Sequence, residues 1–341
     1  MLRTFAARLP ALALALLLAV GIVALAAPEA AAQQVNPRDS SVMEEQLLQQ
    51  LQSGGAVAGR VSIPDAGAAN LIKPDNKGWA SVQGTTLRVI SVAAVLGTLA
   101  ILAVFYAYRG RIRIDSGFSG RLIERFNGYE RFGHWLLAVS FVVLALTGLN
   151  FVVGRWTLMP LVGEEAFGTL SGWFKIAHNY MAWPFMVGLV WVFVTWVGRN
   201  LPRKIDWEWL KMGGGLFSPG VHPPAGKFNA GQKLLFWMVI IGGVGLSYSG
   251  IIMLFPWLAA TPGDWQFWQV VHALFAAFMS VVIFGHIYIG SVGMQGAFDA
   301  MGSGKVDENW AKEHHSLWVE EVREAERKGT AKAPPAATPA E

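Results

Sequence analysis

Long apolar runs separated by short polar links dominate the chain from residue 88 to residue 293. Five of them, at 88–108, 134–154, 173–198, 233–256 and 268–293, are of the length a helix needs to cross a bilayer core. They contain few charges, as desolvation in lipid demands. The links differ sharply in sign. The 109–133 link carries Arg109, Arg111, Arg113, Arg121, Arg125 and Arg131, and the 199–232 link carries Arg199, Arg203, Lys204, Lys211 and Lys227. By contrast, 155–172 sets Arg155 against Glu164 and Glu165, and 257–267 contains only Asp264. The positive-inside rule puts the two basic links in the cytoplasm, with the amino-terminal segment outside and the carboxyl tail inside. The pattern predicts an all-α membrane protein.

The amino terminus reads as a processing signal. Met1 to Arg8 carries two arginines, Leu9 to Ala27 is almost wholly Ala, Leu, Val or Ile, and Pro28-Glu29-Ala30-Ala31-Ala32 closes the run with small residues. That order marks a secretory signal peptide over 1–32, cleaved near Ala32, or an uncleaved signal anchor. Either sends the next segment across the membrane, which agrees with the charge rule. Residues 33–87 are polar, with turns at Ile63-Pro64-Asp65-Ala66-Gly67 and Lys73-Pro74-Asp75-Asn76 and one short helix over Val42 to Leu51. This is too little core for an enzyme domain and suits an external strap that contacts a partner. The Pro/Ala/Thr-rich end from Ala331 is expected to be disordered.

Composition narrows the classes. Of 341 residues, 53% are apolar and 15% charged, well under the roughly 25% charged of a soluble domain. A disordered chain, a coiled coil and a disulfide-stapled scaffold are excluded. With no cysteine there is no cysteine-ligated iron–sulfur cluster, haem thiolate or covalent c-type haem. The formal charge of +4 is no argument for nucleic acid. Trp135, Trp156, Trp173, Trp257 and Trp265 cluster at run ends, as an aromatic interface belt does. Gly242-Gly243, Gly245 and Gly250 thin the fourth run, either for close helix approach or for a flat cofactor.

Four of the seven histidines, His134, His178, His272 and His286, lie in or at the edge of apolar runs. A buried imidazole needs partners for its ring nitrogens. One nitrogen can bind haem iron while the other donates to an acceptor. The alternative is four packing histidines. Topology favours ligands, because His178 and His272 fall at one depth and His134 and His286 at the other. The 14 residues from His272 to His286 span about 21 Å of helix, with side chains only about 40° apart around it. One helix can therefore serve two stacked bis-histidine haems b. His222, in a Pro/Gly loop, and His314 and His315, in the polar tail, read as surface residues.

A second constellation, Lys227-Phe228-Asn229-Ala230-Gly231-Gln232-Lys233, opens the fourth run at the depth of His134 and His286. Asn229 and Gln232 could hydrogen-bond a quinone carbonyl, and Lys227 and Lys233 could neutralise haem propionates. The alternative is helix capping by Asn229 beside ordinary cytoplasmic lysines.

Glu130-Arg131-Phe132-Gly133-His134-Trp135, the Lys227–Lys233 stretch, the His272/His286 spacing and Trp310-Ala311-Lys312-Glu313-His314-His315 resemble the membrane cytochrome b (gamma) subunit of respiratory formate dehydrogenase over about 120–325. The resemblance implies a four-helix dihaem cytochrome b bundle with His134, His178, His272 and His286 as ligands, and a quinone pocket bordered by the Asn229/Gln232 region and His286. It further implies a periplasmic iron–sulfur beta subunit that passes electrons through two haems b to quinone, and a molybdenum or tungsten alpha subunit that oxidises formate. The setting implied is the bacterial inner membrane. The short family form has four spans, and this chain resembles a longer bacterial form. Its expected segments are a signal peptide (1–32), a periplasmic extension (33–87), an additional span (88–108), a cytoplasmic link (109–133), the cytochrome domain (134–293) and a cytoplasmic tail (294–341). Related cytochromes serve nickel–iron hydrogenases and other molybdoenzymes. A transporter, with polar haem-free cavities, and a haem-free anchor are the remaining competitors.

Overall fold

The computed structural model describes residues 81–329 except 219, with the isolated positions 49, 52 and 79. The expected signal peptide, most of the expected extension and the Pro/Ala/Thr-rich end lie outside the described residues. Five helices are long and apolar enough to cross a membrane. They are α1 (Arg88–Arg109), α2 (Gly128–Thr157), α3 (Glu164–Trp196), and, after the short α4 (Lys204–Lys211), α5 (Ala230–Leu254) and α6 (Pro262–Tyr288). A further helix, α7 (Glu308–Arg327), is bent at His315.

The helices overrun the apolar runs because their caps lie beyond the lipid-facing residues. A π-helical stretch, Val82–Leu87, leads into α1, and Trp79 and Ser81 ahead of it are helical as well, so helix is present before the expected 88. Reciprocal caps start α2, α5 and α6: Asn127 with Glu130, Asn229 with Gln232, and Thr261 with Asp264. Each satisfies two N–H groups that a helix start otherwise leaves unpartnered. Because α3 starts at Glu164, well ahead of the apolar run at 173, His178 sits four turns inside its helix.

Two antiparallel pairs, α2 with α3 and α5 with α6, form the bundle, joined where α3 meets α5, and α1 lies outside against α6. Gly188 lets α3 press onto α2, since a side chain there would fall 2.8 Å from the Leu137 backbone nitrogen. Phe141, Phe185, Leu189, Phe236, Ile240 and Met279 fill the centre. Outward residues such as Ile101, Val104, Leu146, Val190 and Ile241 are apolar and exposed, the surface a bilayer covers. The protein is an all-helical, multi-span membrane protein in its spans.

The link and the tail add a small folded cap. β1 (Leu122–Glu124) pairs antiparallel with β2 (Lys305–Asp307), with Ile123 opposite Val306. Asp307 accepts from the backbone of Ser119, Gly120 and Asn309, and Glu313 accepts from the backbone of Asp115 and Ser116. Arg131 donates to the carbonyls of Met301, Gly302 and Ser303. Trp135, expected in the interface belt, also donates its indole N–H to Met301 O at 3.0 Å. The cap therefore covers the end of the bundle where α2 and α5 begin and α6 ends.

Candidate functional site

α6 carries two of the four bundle histidines, and each faces a histidine of another helix. The ring centres of His134 and His286 are 6.0 Å apart, with planes at 67°. Those of His178 and His272 are 6.3 Å apart, at 65°. The pairs lie at opposite ends of the bundle. A metal–imidazole nitrogen bond is about 2 Å long. Rings centred some 6 Å apart thus leave room for one metal between facing nitrogens.

Hydroxyl groups fix one pair further. Thr147 donates its hydroxyl hydrogen to Val143 O at 2.7 Å, so its oxygen is left to accept from His178 Nδ1, 2.8 Å away. Ser249 does the same, donating to Gly245 O at 2.6 Å and accepting from His272 Nδ1 at 3.0 Å. Both imidazoles then carry the proton on Nδ1 and keep an unprotonated Nε2, the form that binds a metal. His134 differs, with Nδ1 buried and without a hydrogen-bond partner among the described residues. Two neutral imidazoles facing across a metal-sized gap in an apolar bundle fit the ligand set of a b-type haem.

Gly242, Gly243 and Gly245 receive Met279, Leu189 and Phe275, so they serve helix packing. Gly250 lies under His272, where an added side chain would sit 3.5 Å from Cε1.

A cavity of about 900 Å³ opens beneath the cap. His134, His286, Asn229, Gln232, Arg125, Trp310 and His314 line it, while His178 and His272 do not. The volume is near the upper end for small-ligand and cofactor sites. α2 and α6 make little direct contact, which is what leaves the space.

Asn229 is a helix cap as well as a lining residue: its Oδ1 accepts from Gln232 N at 2.9 Å. Gln232 Oε1 accepts from Asn229 N at 3.1 Å and from Arg125 Nη2 at 3.4 Å. The Asn229 amide nitrogen donates to no protein group among the described residues.

Several expectations need correction here. Lys227 and Lys233 are not spare charges for propionates. Lys227 Nζ donates to Glu130 Oε1 at 2.7 Å, and Lys233 Nζ to Asp206 Oδ2 at 2.8 Å and Leu201 O at 3.1 Å. His314 and His315 are not surface residues, because the cap folds their helix over the cavity. His315 is 1% exposed, with Nδ1 2.8 Å from Gly226 O. Burial holds His315 well below the usual histidine range, and lowers His314 to about 4. Only His222 is on the surface, 3.1 Å from Asp115 Oδ2. Arg125, read as one of many cytoplasmic charges, is buried, and that burial pushes its guanidinium down to about 9. Thr147 and Ser249 carry no signal in the sequence, because a lone hydroxyl in an apolar helix ordinarily just bonds the carbonyl one turn back.

Known proteins match this sequence. The family model for prokaryotic cytochrome b561 matches residues 125–304. The nitrate-inducible formate dehydrogenase cytochrome b556(Fdn) subunit of Escherichia coli (strain K12) is 31% identical over 212 residues, covering 61% of this chain and 95% of that protein. The formate dehydrogenase cytochrome b556(fdo) subunit of the same organism is 30% identical over 60% of this chain and 96% of its own length. A probable Ni/Fe-hydrogenase B-type cytochrome subunit of Azotobacter chroococcum mcd 1 is 26% identical over 47% of this chain and 77% of its length. The family match spans α2 to α6, more than half of the chain, and on it the chain belongs to the prokaryotic cytochrome b561 family of membrane electron-transfer proteins.

Proposed function

We propose that the chain is the membrane cytochrome b subunit of a respiratory formate dehydrogenase. It would link a periplasmic iron–sulfur subunit to quinone near the cytoplasmic face of a bacterial inner membrane. The observation that carries this reading is the two facing histidine pairs, at 6.0 and 6.3 Å between ring centres, at opposite ends of one bundle. His178 and His272 would hold the outer haem b, and His134 and His286 the inner one. Bound haem supplies reversible one-electron transfer, and the protein holds, orients and tunes it. Thr147 and Ser249 fix the outer imidazoles in the ligating tautomer. Asn229 offers its amide N–H groups to a quinone carbonyl in the cavity beside His286, while its oxygen starts α5.

Formate oxidation belongs to a separate molybdenum or tungsten subunit. The 33–87 extension lies outside and helps hold that external assembly. The similarity to two formate dehydrogenase subunits over nearly their whole length favours this partner. The hydrogenase relative supports a second reading, with a hydrogenase in place of the formate enzyme.

Pyridine haemochrome analysis of the purified complex should give two haems b per chain. Redox titration should lose one and the same component in His178→Ala and His272→Ala, and the other in His134→Ala and His286→Ala. One haem per chain in an active complex, or different components lost within a pair, rejects the assignment. Identification of the co-purified catalytic subunit decides between formate and hydrogen.

A further inference from the structure

Arg125 is 3% exposed and, among the described residues, has no carboxylate to itself. Glu130, the acid that acts on it, is already engaged: Oε1 accepts from Lys227 Nζ and from Trp196 Nε1, and Oε2 from Asn127 N. Arg125 Nη2 donates to Lys227 O at 2.7 Å, but its Nε and Nη1 are buried without a hydrogen-bond partner among the described residues. Trp310 Nε1 and His314 Nε2 are in the same condition. These groups are neighbours. The guanidinium carbon is 5.1 Å from the Trp310 ring centre, and the Trp310 and His314 rings are 5.2 Å apart. All three residues line the cavity that His134 and His286 also line.

A buried cation without a counter-charge is costly, and so are buried donors without acceptors. Arg125, Lys227 and Glu130 together leave one positive charge in excess. A neutral ligand could satisfy the hydrogen bonds but not the charge. A carboxylate does both, and bonds of guanidinium to carboxylate are among the strong ones.

We propose that Arg125, Trp310 and His314 form a carboxylate-binding site within this cavity, and that it takes a carboxylate of the haem held by His134 and His286. The site rests on the reading that this pair holds haem. A lipid phosphate offers similar anionic oxygens, so the test separates the two sources.

The purified complex is compared with Arg125→Gln, Arg125→Lys and Trp310→Phe variants by resonance Raman spectroscopy and redox titration. In Arg125→Gln the propionate-bending band of the inner haem should shift and its potential should fall, with the outer haem unchanged. Loss of a nearby positive charge favours the oxidised, more positive form. Arg125→Lys should restore most of the potential. Trp310→Phe keeps the ring beside the guanidinium and removes only the N–H, so it should shift the band without changing the charge. If Arg125→Gln does not assemble, Trp310→Phe carries the test. An unchanged band and potential in a folded variant with both haems overturns the site. A response that appears only when phospholipid is stripped, or only in quinol binding, assigns the cluster to another ligand and overturns it too. Retention of the inner haem in His134→Ala would instead sink the underlying ligand assignment.

Discussion

Thr147 of α2 and Ser249 of α5 stand in the same relation to their histidines. Each hydroxyl gives its hydrogen to the carbonyl one turn back in its own helix and takes the Nδ1 proton of an imidazole on the facing helix. Partners of this kind typically contribute 10–100-fold to metal affinity. Thr147→Val and Ser249→Ala should each weaken retention of the proposed outer haem by roughly that factor and leave the inner haem in place. Haem content after graded detergent washing, followed by redox titration of what remains, checks this. Equal loss of both haems would contradict it.

Asn229 has two separable parts. Its oxygen starts α5 through Gln232 N, and its amide nitrogen is available at the cavity. Asn229→Ser keeps a capping oxygen and removes the amide. It should slow haem reoxidation by quinone while stability changes by no more than a few tenths of a kcal/mol. Asn229→Leu should slow reoxidation and also cost about 1 kcal/mol for the lost cap. Single-turnover reoxidation and thermal unfolding, measured on both variants, separate the roles. Normal reoxidation in Asn229→Ser removes this amide from the quinone site.

Glu130 ties three elements together, accepting from Asn127 N, Trp196 Nε1 and Lys227 Nζ. Its replacement leaves Lys227 partly buried without its partner. Glu130→Gln should destabilise the bundle by roughly 2–3 kcal/mol, less than a fully buried pair because the lysine retains some solvent. Glu130→Gln with Lys227→Met should cost less than the sum of the two single changes. A double-mutant cycle in thermal unfolding reads the coupling directly.

Burial keeps His315 neutral in the folded cap, with its proton affinity well below the ordinary histidine value of 6.5. The unfolded chain therefore binds a proton below about pH 6.5 that the folded chain does not, and stability falls as pH drops. One such group costs roughly 1.4 kcal/mol per pH unit below 6.5 until its own folded-state value is reached. His315→Gln should flatten the loss of cap stability between pH 6.5 and 5, whatever its effect at pH 7. Hydrogen exchange of α7 across that range measures the slope.

The spans and the histidine pairing were legible because both rest on local rules. Apolar length sets a span, and the interval from His272 to His286 sets the facing on one helix. The cap was not legible. Its pieces, Leu122–Glu124 and Lys305–Asp307, are three residues each and carry no periodicity of their own. They pair where Arg131 and Asp307 gather loop carbonyls and amides from distant parts of the chain. For the same reason Arg125 looked like one more positive-inside charge. Its burial depends on Trp310 and Trp318, nearly two hundred residues away, folding over it. His314 and His315 were misplaced because a polar amphipathic tail resembles a solvated helix until something is found beneath it.

Because α6 supplies a histidine to each pair, a single hydrogen-bonded rod sets both the interval between the two centres and their relative bearing. α3 can shift or tilt and alter the outer pair alone, while α2, which carries His134 and the Thr147 that holds His178, bears on both; neither can change the gauge. An insertion of one residue into α6 between His272 and His286 would turn one imidazole by about 100° relative to the other. The proposed conduit therefore tolerates sequence drift in three of its four helices better than any change of length in the fourth.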